Sequence, residues 1–163
     1  MGRRPTKAVD NPFCKARLEA AWYNDRLFSK EGASELLGVS VSTLSDYELG
    51  VTKVIPPDMV VKMADLYNAP ELENYYCTNM CPLGCNIPKA SVEELVRISL
   101  RALATFRKVE ETREILLDIT ADGVIAEEEK ADLQKVLCNL EELEQIAQSM
   151  KLWVKKNMQE EPL

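Results

Sequence analysis

Residues 29–50 read Ser29-Lys30-Glu31-Gly32-Ala33-Ser34-Glu35-Leu36-Leu37-Gly38-Val39-Ser40-Val41-Ser42-Thr43-Leu44-Ser45-Asp46-Tyr47-Glu48-Leu49-Gly50. Two short helices joined at Gly38 account for this stretch. Ser29 is an N-cap residue, its hydroxyl placed to accept from the first free backbone donors. Gly38 stands where the first helix must stop and turn, because glycine enters positive φ cheaply. Ser40 or Ser42 opens the second helix, which ends before Gly50. Two helices that cross closely need a small residue midway along the first, a glycine-like residue at the turn and an apolar residue on the inner face of the second. Ser34, Gly38 and Leu44 fill these places at offsets of four and then six, and Leu37 and Val39 flank the turn as buried residues.

Upstream, Asn11 caps a helix with Pro12 at its first position, and Phe13, Ala16, Leu18, Ala20, Ala21 and Trp22 supply its apolar side. Downstream, Val54 to Asp58 is an extended connection. A helix then runs to about Tyr67, with Met59, Val60, Met63, Ala64 and Leu66 apolar; Asn68 ends it, and Pro70 starts another through about Tyr76. This pattern resembles the lambda-repressor/Cro-type, or Xre-like, helix-turn-helix family over residues 12–76, with Val60 to Tyr67 similar to that family's fourth helix. The remainder of the chain is similar to small regulators of Gram-positive bacteria and their mobile elements.

The resemblance implies binding of double-stranded DNA in the major groove as a homodimer on a two-fold operator. By position, it implies Lys30 near a phosphate or an adjacent base. Ser40, Val41 and Ser42 lead the reading helix, Ser40 to Leu49, into the groove. Ser45 and Asp46 lie a turn further on, and Thr52 and Lys53 reach the backbone. The stretch departs from the family in charge. Val41, Asp46, Leu49 and Val51 stand where basic or amide residues are common, and Glu31 to Leu49 holds four acids and no base. Phosphate neutralisation supplies much of DNA affinity, so cations must come from elsewhere. The candidates are Lys15, Arg17, Arg26, Lys30, Lys53 and an arm carrying Arg3, Arg4 and Lys7 that enters a neighbouring minor groove.

The charge distribution suits that arrangement. The net charge is −7, yet residues 1–30 hold seven Lys/Arg against three Asp/Glu, while residues 31–76 hold two against eight. A basic edge on an acidic protein marks either a nucleic-acid-facing surface or a solvated tail. Two alternatives to gene regulation remain. One is a degenerate helix-turn-helix that acts by protein–protein binding, such as a mobile-element-encoded inhibitor of a host protein. The other is an enzyme, but the chain has no histidine, which excludes His-based acid–base chemistry. A non-enzymatic protein without a cofactor is expected.

Beyond residue 76 the reading changes. Cys77, Cys81 and Cys85 recur every four residues, but Pro82 and Gly84 break the helix that would align them. They can be buried small hydrophobes, or ligands of a zinc or iron–sulfur site completed by Cys14 or Cys138, or a redox pair. Ser91 with Glu94 forms a capping box for a long helix to about Thr120, Asp122-Gly123 makes a turn, and a second long helix runs from about Glu127 to Asn157. Its stripe is Leu133, Val136, Leu140, Leu143, Ala147, Met150 and Val154, and the first helix repeats this with Leu95, Ile98, Ala102, Val109, Leu116 and Ile119. Asp118, Asp122 and Glu129 also fit positions of an EF-hand loop, although Thr120 and Ala126 are poor ligands at theirs. An Asp-Gly turn is the plainer account.

The expectation is therefore an all-α protein. It has a basic arm (1–11), a five-helix lambda-repressor-like helix-turn-helix domain (12–76), a cysteine-containing linker (77–90), a long antiparallel helical hairpin (91–158) and a tail (159–163). Met1-Gly2 with Thr6 formally fits a myristoylation pattern, but the segment reads as an ordinary arm. With no apolar run of membrane length and no secretory h-region, a cytoplasmic location is expected.

Overall fold

The computed structural model describes residues 10–121 and 123–158. All regular structure among them is helical. The chain is all-α, with short helices in its N-terminal part and two long ones after them. It divides into two compact units, residues 1–87 and 88–163. Among the described residues no helix is long and apolar enough to cross a membrane.

Five helices build the first unit: α1 (Pro12–Ala20), α2 (Lys30–Leu37), α3 (Val41–Leu49), α4 (Pro57–Leu66) and α5 (Glu71–Asn79). Their boundaries follow local chemistry. The Asn11 side chain accepts from the Phe13 N–H at 2.9 Å, with Pro12 just inside the helix. Ser29 accepts from Gly32 N–H at 3.0 Å. Gly38 (φ 74°) and Gly50 (φ 69°) close α2 and α3 in the left-handed region, where a Cβ would be strained. Ser40, not Ser42, caps α3, accepting from Thr43 N–H at 3.0 Å. Phe13, Leu27, Leu44, Ile55, Met63 and Leu72 meet in one core, and each such side chain contributes about 1.5–3 kcal/mol on burial.

Two expectations need correction here. Trp22 does not join the apolar side of α1, because the helix ends at Ala20 and Trp22 stands 80% exposed, edge-on to Phe28. The last helix also runs past Tyr76 and takes in Cys77. The segment behind it folds back closely: a Cβ on Gly84 would lie 1.5 Å from the Cys77 carbonyl oxygen.

The second unit is the antiparallel hairpin of α6 (Leu95–Ile119) and α7 (Lys130–Asn157), with Ile98, Ala102 and Ile146 buried between them and Met150 and Trp153 packed alongside. The Ser91/Glu94 capping box is not formed. Glu94 is the N-cap without a side-chain bond, and Ser91 instead donates to Glu93, whose carboxylate also takes Arg101 at 2.7 Å. The face of α7 is turned as well. Val136, Ile146, Ser149 and Leu152 are the buried residues, while Leu140, Ala147 and Val154 face outward. Asn139 donates to Thr112 at 2.8 Å and Lys108 to Glu142 at 2.9 Å. These polar cross-links turn positions 139 and 142 toward α6 and carry the leucine stripe to the edge of the contact.

Candidate nucleic-acid interface

The motif centres on a buried ion pair. Glu48, on the inner face of α3, has no solvent exposure, and Arg17 of α1 is only 3% exposed. The guanidinium donates from Nε to Glu48 Oε1 at 2.5 Å and from Nη2 to Oε2 at 3.1 Å, a bidentate fork. Its Nη1 donates to the Leu27 carbonyl at 2.6 Å, so one side chain ties α1 to α3 and to the turn before α2. Burial works against the guanidinium's charge, but the hydrogen bonds and charge of Glu48 outweigh it and raise its pKa. Beside it the Cys14 thiol is pushed up by burial and then by Glu48. The Tyr67 hydroxyl is raised by the same two causes and has no hydrogen-bond partner among the described residues.

Lys30 joins this network from the head of α2. Its Nζ donates to Ser45 Oγ at 3.0 Å and lies 3.6 Å from Glu48 Oε2. It remains partly exposed. The Asn11 amide donates to the Tyr47 carbonyl at 3.2 Å, which fixes the start of α1 beside the last turn of α3.

These contacts sort the expected DNA-facing residues. Val41 and Ser42 are exposed on the first turn of α3. Ser40 is also exposed, but its hydroxyl is engaged with Thr43. Ser45 is engaged by Lys30, while Asp46 and Thr52 are half-buried. Lys53, in the connection after α3, is exposed. Among the cation candidates, Arg17 is withdrawn, since its charge is consumed inside the fold. Arg26 pairs with Glu35 at 2.7 Å and Lys15 approaches Glu19 at 3.8 Å; both pairs are solvent-exposed and weak. Arg3, Arg4 and Lys7 lie outside the described residues.

Residues 24–74 match the family model of the helix-turn-helix domain. The match takes in α2, the Gly38 turn, α3 and α4 and ends within α5. The chain therefore carries a helix-turn-helix domain in its N-terminal unit. No curated protein and no solved structure matches the chain.

The other candidate sites are not assembled in this way. Cys77 and Cys81 are half-buried free thiols packed against the core of the first unit, Cys14 is buried and Cys138 exposed. The Cys85 side chain lies outside the described residues. No group of three or more His, Cys, Asp or Glu side chains suited to a metal is found among the described residues. In the acidic loop, Glu129 accepts from the Ala126 N–H at 2.7 Å and so begins the turn into α7. The Asp118 carbonyl accepts from Ala121 N–H at 3.3 Å, and Asp122 lies outside the described residues.

The sequence reading missed the Arg17–Glu48 brace. The available signal was a lone Glu at the end of the reading helix and a lone Arg flanked by Ala16 and Leu18 in α1, 31 positions apart.

Proposed function

We propose that the domain is of the lambda-repressor/Cro type and that the protein is a non-enzymatic, cytoplasmic regulator that reads duplex DNA sequence with α3, two copies binding two half-sites. The observation that carries this reading is the exposed first turn of α3. Val41 and Ser42 project from a helix held by the Gly38 turn, and Lys30 lies beside Ser45 on the same helix. A methyl-bearing Val41 suits a thymine methyl, and the Ser42 hydroxyl can donate or accept at several base edges. Backbone contact falls to Lys30, Lys53 and the basic arm. With few cations beside α3, the affinity for DNA is weak to moderate and leans on the arm.

The test is fluorescence anisotropy on random and selected duplexes across a salt series. The expected result is a salt slope that shrinks when residues 1–10 are removed and falls by about one for Lys53→Ala. A second reading, capture of a protein partner, is favoured by the exposed Leu49, Val51 and Val54 at and after the end of α3. Absence of duplex binding even at low salt rejects the first reading in favour of the second.

A further inference from the structure

Ile98, Ala102, Thr105 and Thr112 of α6 are buried. With 3.6 residues per turn, Val96, Leu100 and Leu103 fall on the opposite side of the same helix and Phe106 on its flank, and the four are 59–69% exposed. Further along, that outer side becomes Arg107, Glu110, Glu111, Glu114 and Asp118. A solvated helix face carries charge throughout, whereas four large apolar side chains bordered by charge have the make-up of a contact surface.

We propose that this stripe binds a second copy of the chain, the two α6 helices packing antiparallel about a two-fold axis near Leu103. Two observations favour this occupant. The first is size. Four half-exposed large side chains from each of two copies, with the residues flanking them, offer on the order of 1,000 Å² of buried surface, the lower bound for a biological interface and the size of a weak dimer. The second is charge. Arg97 flanks the stripe toward the helix start, while Glu110 and Glu111 flank it toward the far end. Within one copy Glu93 is held by Arg101 at 2.7 Å and lies 3.8 Å from Arg97, and Glu110 takes Arg113 at 2.5 Å. The Arg97 and Glu110 pairs are solvent-exposed and weak, so both can exchange partners on association. A parallel copy would set like charges together. An antiparallel copy sets Leu103 on Leu103, Leu100 level with Phe106, and Arg97 near Glu111 at both ends, so one patch complements itself.

The proposal shares with the DNA-binding reading only the presence of two copies. Its test is made without DNA, so either can fail alone. The mass of the full chain is measured by light scattering and sedimentation, with helix content followed by circular dichroism. Wild type is expected as a dimer and Leu103→Glu as a monomer of unchanged helicity. Arg97→Glu should weaken dimerisation about tenfold, and Arg97→Glu with Glu111→Arg should restore it. A monomeric wild type overturns the proposal, as does a dimer that survives Leu103→Glu, or one dissociated by Leu140→Asp and not by Leu103→Glu. If Leu103→Glu loses helix content, the exposed charge-reversal pair decides: no weakening, or no rescue, overturns the proposal.

Discussion

Glu48 carries a carboxylate with no solvent exposure in a domain otherwise held by apolar contacts. Such a charge is tolerated because Arg17 meets both of its oxygens. Removing one member strands the other, which costs far more than the pair is worth against a well-packed apolar replacement. Arg17→Met and Glu48→Leu are each expected to destabilise the N-terminal unit by about 3–5 kcal/mol in urea denaturation. The double substitution should recover most of that loss. A double variant whose loss equals the two single losses combined would show that the side chains act independently. The same geometry explains why charge counting along the chain overestimated the cations on the surface of the N-terminal unit. Arg17 contributes to the basic count of the N-terminal segment but faces inward.

At the scale of elements, the caps and turns of the N-terminal unit were legible because they are local, whereas the Ser91/Glu94 box is lost to the Glu93 carboxylate, which takes Ser91 and Arg101. Asn11, Ser29 and Ser40 accept from donors two or three residues ahead, and Gly38 satisfies a backbone angle that concerns its own residue alone. Face assignment in α7 was less legible. The leucine stripe named Leu140 as a core position, yet it is 47% exposed. Periodicity reports which face is most apolar; contact is decided by the partner, and Thr112 and Lys108 of α6 draw Asn139 and Glu142 inward. Thermal melts should separate the two. Ile98→Ala, at a site without exposure, is expected to cost about 2–4 kcal/mol, and Leu140→Ala less than about 1 kcal/mol. Equal losses would return Leu140 to the core.

At the scale of the whole molecule, the four cysteines whose side chains are described report local burial. Cys138 is exposed, Cys77 and Cys81 are half-buried, and Cys14 is buried with its pKa raised by desolvation and by Glu48. Alkylation proceeds through the thiolate, and a raised pKa leaves less thiolate at any given pH. Mass spectrometry after timed iodoacetamide exposure should find, among these four, Cys138 modified first and Cys14 last. Raising the pH through the ordinary thiol range should leave Cys14 slow, because its raised pKa keeps the thiol protonated there. Rapid native-state labelling of Cys14 would mean that the cluster around Glu48 opens readily, against its packing in the core.

The sequence by itself determined the all-α class, the Ser34–Gly38–Leu44 motif, the caps at Asn11, Ser29 and Ser40 and the two long helices, because each depends on backbone preferences and spacings within a few residues. Only the tertiary structure decided that Arg17 braces α3, that Lys30 takes Ser45, and that α7 leaves Leu140 at the surface. The physical reason is range. A cap or a glycine turn is satisfied by its neighbours along the chain, whereas an ion pair or a buried face is satisfied by residues that folding brings from tens of positions away.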